Sequence, residues 1–135
     1  MASEPALRYL LDTDVVIWEL RGHPPTVRLL DGLRDEGLAC SVLTIYEVWR
    51  GVRPNERAVT QRVLSAWHGV PVTVEAAYQA AEYLQTYRQR GATLGDMDSV
   101  IAATAKVRGL ALLTYSRRHF PMDDIELYDR MPTLE

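Results

Sequence analysis

Acidic residues occur at three places where the sequence pattern indicates that a strand ends or a helix begins. The segment RYLLDTDVVI delivers Asp12 and Asp14 one residue apart, directly after residues suited to a buried strand. Glu47 follows the next apolar run, and Asp96 and Asp98 open the segment DMDSVIAA. Hard divalent cations such as Mg²⁺ bind a few carboxylates together with water. This set of acids therefore indicates metal-dependent chemistry.

A structural role competes with metal binding for each of these acids. Carboxylates at helix starts cap free N–H groups and complement the positive end of the helix dipole. Thr44-Ile45-Tyr46-Glu47 fits the pattern of a capping box, which predicts Glu47 in the first turn of a helix. Capping explains any one acid, but three acid-bearing helix starts on one edge favour a cation site. The two roles are compatible, because a helix N-terminus keeps a carboxylate ionised.

Apolar runs and segments of helical periodicity alternate along the chain and must position these acids. The runs suited to strands cover residues 7–11, 38–40, 70–74, 110–114 and 125–128. Helical periodicity covers residues 26–36, 44–52, 58–68, 76–90 and 98–108. The alternation predicts an α/β fold with a mainly parallel sheet. Ligands bind at the carboxyl edge of such a sheet, where Asp12 and Asp14 are expected.

The composition is typical of one globular domain. The 135 residues are 47% hydrophobic and 24% charged, and we expect a single domain over residues 1–135 with no membrane span. Glu4 and Pro5 interrupt the start, where a secretory signal needs an apolar segment, so a cytoplasmic location is expected. Lone Cys40 agrees with a reducing compartment. A net charge of −3 restricts nucleic-acid contacts to local arginine clusters.

Three segments together resemble the signature segments of PIN-domain ribonucleases. They are LLDTDVVI, SVLTIYEVWRG and DMDSVIAATAKVRGLALLTYSRRHF, and the resemblance runs from about residue 8 to 128. The small size of the chain is similar to that of the VapC-type toxins of bacterial toxin–antitoxin pairs. The resemblance implies a PIN-like α/β fold, with a mainly parallel central sheet flanked by helices on both sides.

The acids of the family motif match positions of this sequence one by one. The resemblance implies that Asp12, Glu47 and Asp98 are the catalytic metal ligands. Asp14 falls where the family has Asn or Asp and is expected to support Asp12. Without a cation these clustered carboxylates repel one another, so their pKa values should be raised or the site partly disordered.

One position departs from the family pattern. Thr114 matches the threonine that follows the last core strand, but position 116, a fourth Asp or an Asn in the family, is Ser116 here. A hydroxyl is a neutral and weaker ligand, so a second metal position should be looser, and Asp96 is the nearest acid that compensates. Thr44 and Ser116 are expected to hydrogen-bond carboxylates or metal-bound water. Of the three histidines, His119 alone is expected near this edge.

The resemblance also implies an activity and partners. The activity is that of a Mg²⁺- or Mn²⁺-dependent endoribonuclease that hydrolyses RNA phosphodiester bonds and so inhibits translation or growth. The implied partners are an RNA substrate, a second copy of the chain, and a VapB-type antitoxin whose tail enters the active-site groove and contacts apolar residues of the first helices. Candidate contacts to RNA phosphates are the arginines that flank the edge: Arg50, Arg53, Arg117 and Arg118.

Two other interpretations remain open from the sequence. Asp12-Thr13-Asp14 also fits the opening motif of haloacid-dehalogenase-like phosphatases, although the lysine these enzymes need before a late acidic motif is absent. The other alternative is a PIN-like module that has lost catalysis and serves only in binding or dimerisation, for which Ser116 is the main support. Metal-dependent cleavage distinguishes the ribonuclease from the lapsed module.

Overall fold

Four short parallel strands form one sheet in the order β3-β2-β1-β4. The computed structural model describes residues 6–134; residues 1–5 and 135, among them Glu4 and Pro5, lie outside the described part. The strands are β1 (Tyr9–Leu11), β2 (Leu38–Ser41), β3 (His68–Val70) and β4 (Ala111–Leu113). Because all four are parallel, their carboxyl ends meet at a single edge.

Six α-helices connect and cover the strands. They are α1 (Thr13–Leu20), α2 (Pro24–Leu33), α3 (Val42–Arg50), α4 (Arg57–Ser65), α5 (Val74–Gln89) and α6 (Asp96–Arg108). Short 3₁₀ turns lie at Arg34–Glu36, Pro54–Glu56 and Arg117–His119. Over residues 6–134, none of the helices has the length and apolarity that a membrane crossing requires.

Alternate residues of each strand pack into two different cores. Leu10 and Leu112 face helices α5 and α6, whereas Leu11 and Leu113 face α1 to α4. All four side chains are completely buried. This period of two is what a sheet covered on both faces requires, and it confirms the predicted α/β fold with helices on both sides.

Two predicted strands differ from the observed ones at the margins of the sheet. Strand β3 ends at Val70, before Pro71, because proline has no N–H to donate to a neighbouring strand. The run 125–128 forms no strand of its own; its part in the sheet is an isolated parallel bridge between Leu127 and Leu112.

The starts of two helices also differ from expectation. A helix start beside Asp12 and Asp14 was expected, but the extent of α1 was not predicted, because its apolar and β-branched residues Val15, Val16 and Ile17 do not form a one-sided stripe. Helix α3 begins at Val42, and its cap is the Ser41 hydroxyl, which accepts a hydrogen bond from the Leu43 N–H at 3.0 Å. The predicted capping box at residues 44–47 was therefore wrong.

Candidate active site

Asp12 lies where β1 passes into α1, at the centre of the carboxyl edge. Its backbone N–H donates to the Leu113 carbonyl at 2.9 Å, so the strand pairing itself fixes its position. Its side chain caps α1 by accepting from the Thr13 N–H at 2.8 Å. The second carboxylate oxygen accepts from the Thr114 hydroxyl at 2.7 Å. With only 5% of its surface exposed, Asp12 is a buried and oriented carboxylate.

The electrostatic environment of Asp12 disfavours its charged form. Burial, reinforced by the negative charge of Asp14, raises the pKa of Asp12 to about 7, although the hydrogen bonds from Thr114 and Thr13 act in the opposite direction. Asp98 adds a smaller repulsion. The expectation that these acids have raised pKa values without a cation is confirmed for Asp12.

Glu47 reaches the same edge from the second turn of α3, not the predicted first turn. Its Oε1 accepts a hydrogen bond from the Thr13 hydroxyl at 2.7 Å. The Thr13 hydroxyl also lies 3.0 Å from that of Thr44, which is fully buried one helical turn before Glu47. Thr44 therefore acts on the acid through Thr13 and makes no direct bond to it.

Asp14 is held by the segment that follows β4. The Ser116 hydroxyl donates to Asp14 Oδ2 at 2.9 Å, and the Tyr115 N–H approaches Oδ1 at 3.4 Å. The Ser116 N–H in turn donates to the Thr114 hydroxyl oxygen at 2.9 Å. Ser116, at the position where the family motif has Asp or Asn, thus supplies a donor that orients Asp14.

Asp98 completes the set from the first turn of α6. Partial burial raises its pKa; the nearby His119 opposes the shift, and the charges of Glu47 and Asp14 add to it. His119 Nδ1 lies 3.5 Å from Asp98 Oδ2, which confirms the prediction that this histidine is near the edge. Four carboxylates from three elements thus influence one another across the carboxyl edge.

Known proteins share this arrangement of sequence and fold. Residues 9–123 match the PIN domain family. The chain is also 38% identical over 114 residues to ribonuclease VapC10 of Mycobacterium tuberculosis, a match that covers 84% of this chain and 86% of that protein. The chain belongs to the VapC family of PIN-domain ribonucleases.

Two further comparisons agree with this assignment. The tRNA(fMet)-specific endonuclease VapC of Shigella flexneri is 25% identical over 119 residues, which cover 84% of this VapC-family chain and 90% of the relative. The DNA-bound VapBC structure from Salmonella typhimurium contains a chain that matches with a TM-score of 0.82 and 25% identity, covering 92% of this chain and 98% of that one. The predicted PIN fold is confirmed, and the phosphatase alternative falls away.

Asp96 and the four candidate arginines make other contacts or are exposed. Asp96 is exposed at the first residue of α6, and within residues 6–134 its side chain makes no hydrogen bond or ion pair that supports the predicted compensation for Ser116. Arg117 donates to the Tyr128 carbonyl at 3.1 Å. Arg50 lies over the ring of Tyr46, 5.4 Å from its centroid. The two other candidates, Arg53 and Arg118, have exposed side chains.

The donor set suits a divalent cation in its chemistry more than in its spacing. Mg²⁺ and Mn²⁺ prefer carboxylate oxygens as ligands. Two of the acids here, Asp12 and Asp98, have a raised pKa. Within residues 6–134, however, no three acid, histidine or cysteine side chains are gathered closely enough to form a complete metal cluster. Like charges repel, so carboxylates that converge on an edge are expected to stand apart without a counter-charge.

An open groove on the surface of this VapC-family chain includes Glu47 in its lining. It has a volume of about 510 Å³ and lies between α1, α3 and α4. Apolar side chains line most of it, among them Ile17, Leu20 and Val59. The charged residues of the lining are Arg21, Glu47 and Glu56, so the groove places apolar surface beside one acid of the edge.

Sequence reasoning missed Thr13 as a member of the site. Its position between Asp12 and Asp14 was the available signal, because a hydroxyl between two acids of the edge is close to where Glu47 of α3 was expected. The capping-box interpretation concealed this link, since it assigned Glu47 to the backbone of its own helix and not to Thr13.

Proposed function

We propose that this VapC-family chain is a metal-dependent endoribonuclease and that Asp12, Glu47 and Asp98 hold its Mg²⁺ or Mn²⁺. The observation that carries the proposal is the convergence of carboxylates from β1, α3 and α6 on one edge, with buried Asp12 held by hydroxyl and N–H donors. An acid that had only a structural role would gain more from a basic partner. A bound divalent cation supplies Lewis acidity to water and to a phosphate oxygen.

The residues of the chain orient the acids and admit the substrate. Thr13 and Thr114 direct the carboxylates, and Ser116 keeps Asp14 beside Asp12 as a supporting charge. The substrate we propose is RNA, since the relatives include a ribonuclease and a tRNA(fMet)-specific endonuclease. Arg118 is our first candidate for an RNA phosphate contact, and Arg50, Arg53 and Arg117 are the further candidates. The proposed site of action is the cytoplasm, where such RNAs are present.

The test is cleavage of total RNA by the purified chain freed of partners. We expect cutting with Mg²⁺ or Mn²⁺, none with EDTA, and none in an Asp98→Asn variant. Asp96→Asn is the matched control, because it removes the same charge two residues away on the same helix but from an exposed side chain. Equal activity in wild type and Asp98→Asn, or cutting that persists in EDTA, would contradict the proposal.

An inactive wild type would favour the lapsed binding module instead. In that case isothermal titration with Mn²⁺ separates the two explanations. Mn²⁺ binding that disappears in Asp98→Asn keeps the metal site and indicates that the tested RNAs are the wrong substrates. Absence of binding overturns the proposed ligands as well.

We further propose that the chain acts as a toxin that inhibits translation or growth and is neutralised by a VapB-type antitoxin. The mainly apolar groove whose lining includes Glu47 fits a partner with an apolar segment, and a basic side chain of that partner would pair with Glu47. Val59, which is 54% exposed on α4, lines this groove. Val59→Glu should weaken inhibition by the antitoxin, whereas Gln61→Glu, with the same charge change on the same helix but outside the groove, should not.

A homodimer is the proposed oligomeric state. Val74 and Tyr78 lie one turn apart on α5 and are 75% and 73% exposed, so they offer apolar surface for a second copy to cover. Light scattering should give twice the chain mass for wild type and the chain mass for Tyr78→Glu. A wild-type mass equal to one chain would overturn this assignment without affecting the proposed chemistry.

A further inference from the structure

One threonine connects two acids that come from different elements. Thr13 is the first residue of α1, and its N–H donates to Asp12 Oδ1 at 2.8 Å. Its hydroxyl donates to Glu47 Oε1 at 2.7 Å, across 34 positions of the chain. The backbone of Thr13 therefore orients Asp12, which follows β1, while its side chain orients Glu47 of α3.

The direction of this hydrogen-bond chain follows from proton counting. A hydroxyl carries one proton, and that of Thr13 is donated to the Glu47 carboxylate, which is an acceptor when ionised. The contact of 3.0 Å between Thr13 and Thr44 must then use the proton of Thr44. The chain therefore runs from Thr44 to Thr13 to Glu47, and the fully buried Thr44 hydroxyl has its partner.

Glu47 needs such support more than Asp12 does. Asp12 has a short side chain, is almost completely buried and accepts two hydrogen bonds. Glu47 has a longer side chain, lies half-buried in the second turn of α3, and has Thr13 as its hydrogen-bond partner within the described part of the chain. A free glutamate side chain loses substantial rotamer entropy when a ligand fixes it, and an existing hydrogen bond removes part of that cost.

We infer that Thr13, backed by Thr44, is a positioning residue that holds the Glu47 carboxylate in register with Asp12 for the divalent cation. The inference rests on the proposed function, because it assumes that both acids are ligands. Hydrogen-bond partners of metal ligands typically contribute about 10- to 100-fold to metal affinity. Loss of the Thr13 hydroxyl should therefore appear as weaker cation binding in the absence of RNA.

The experiment measures Mn²⁺ affinity of the full chain by isothermal titration, together with the thermal midpoint of each metal-free protein. Thr13→Val, which keeps the shape and removes the hydroxyl, should weaken Mn²⁺ binding by about tenfold or more. Thr13→Ser keeps the donor and should remain within about threefold of wild type. Thr44→Val leaves the bond from Thr13 to Glu47 in place and should have an intermediate effect.

Thr104→Val is the control for the loss of a buried threonine hydroxyl. Thr104 is 1% exposed, and its hydroxyl donates to the Val100 carbonyl within α6. This substitution should leave Mn²⁺ affinity unchanged, whatever its effect on the thermal midpoint. Comparison with Thr13→Val separates positioning of the acid from a general loss of stability. Should Thr13→Val fail to fold, Thr44→Val against Thr104→Val provides the same comparison within the folded proteins.

Two results would overturn the inference. Wild-type Mn²⁺ affinity in Thr13→Val and Thr44→Val would contradict it, as would equal weakening in Thr13→Ser and Thr13→Val. In either case Mn²⁺ binding that is lost in Asp98→Asn leaves the proposed function intact. If the wild type itself does not bind Mn²⁺, the proposed ligand set fails and the inference fails with it.

Discussion

Two groups of charged residues show opposite solutions to holding a carboxylate in place. The acidic edge consists of Asp12, Asp14, Glu47 and Asp98, and the paired surface consists of the ion pairs Arg8–Glu36 and Lys106–Asp124. The paired carboxylates have a basic partner at 2.9 Å and 2.6 Å, respectively. At the acidic edge, no lysine or arginine between residues 6 and 134 pairs with a carboxylate, and His119 alone approaches, at 3.5 Å from Asp98.

Hydroxyl groups replace the basic partners at the acidic edge. Thr13, Thr114 and Ser116 each donate one hydrogen bond to a different acid. A hydroxyl orients a carboxylate without neutralising it, so the negative charge remains available to a cation. A basic side chain fixes and neutralises at the same time. The difference agrees with the proposed cation site, in which repulsion among the acids lowers the free energy of unfolding of the metal-free chain.

The largest expected contrast comes from removing one charge in each group. Asp12→Asn should reduce RNA cleavage by about 100-fold or more, because a metal site supplies several kcal/mol of transition-state stabilisation. The same change should raise the thermal midpoint of the metal-free chain, since it removes a buried and repelled charge. Asp124→Asn should lower the thermal midpoint slightly and leave RNA cleavage unchanged. A lower thermal midpoint in Asp12→Asn would contradict the proposal that the buried charge of Asp12 destabilises the metal-free chain.

A second expected contrast is the pH dependence of stability in EDTA. The pKa of Asp12 is raised from 3.8 to about 7 in the folded chain, so folding binds protons between these values and stability falls as pH rises through this window. For Asp124, burial raises the pKa, but the hydrogen bonds from Lys106 and Tyr83 outweigh it and lower the pKa, so its contribution is lost as pH falls below 3.8.

Urea unfolding between pH 3 and pH 8 measures both slopes. Asp12→Asn should flatten the fall in stability above pH 4, and Asp124→Asn should flatten the loss at the acidic end. Asp12→Asn with an unchanged slope above pH 4 would show that another group titrates there.

A smaller effect is expected where the acidic edge meets RNA. Arg118→Ala should raise the KM for RNA about two- to fivefold. It should also reduce the slope of log affinity against log salt concentration by about 1, the value for one phosphate contact. Arg108→Ala is the matched control, because it removes the same charge from an exposed side chain at the last residue of α6, where the chain leads into the start of β4. Equal effects of the two substitutions would indicate that a general positive field, not a specific contact, attracts the substrate.

The smallest effect is expected at the paired surface. The side chains of Arg8 and Glu36 are 65% and 41% exposed, so solvent screens their attraction. Arg8→Ala should lower the free energy of unfolding by less than about 1 kcal/mol and leave cleavage unchanged. Chemical denaturation and the RNA assay test both points, and a large loss of activity would remove the distinction between the two groups.

Much of the architecture could be predicted because its signals are local. Strands β1 and β4 are apolar runs, the start of α6 carries Asp96 and Asp98, and parallel strands bring their ends to one edge. The extent of helix α1 could not be predicted, because its apolar residues pack against both α2 and α3 and leave no one-sided stripe. The run 125–128 has the composition of a strand, but only tertiary contacts decide that a single bridge forms.

The sequence predicted the acids of the candidate site but not the hydrogen bonds that connect them to Thr13 and Ser116. Asp12, Asp14, Glu47 and Asp98 lie along one edge as expected, although within residues 6–134 they do not form a closed metal cluster, and Asp96 is exposed at the start of α6. The bonds from Thr13 to Glu47 and from Ser116 to Asp14 cross 34 and 102 positions of the chain. Residue type and local spacing carry no information on such partners, since the partners depend on which elements pack together.

The bond between Thr114 and Asp12 also has a consequence for the order of events during synthesis. The two residues are 102 positions apart, and β1, the strand that delivers Asp12, pairs with the late strand β4. A ribosome adds about 5–20 residues per second, so Asp12 waits on the order of 5–20 s for Thr114 to be made. A growing chain therefore lacks an assembled edge until its last strand has emerged. The time that the ribosome needs to reach β4 therefore delays assembly of the acidic edge until synthesis of the chain is almost finished.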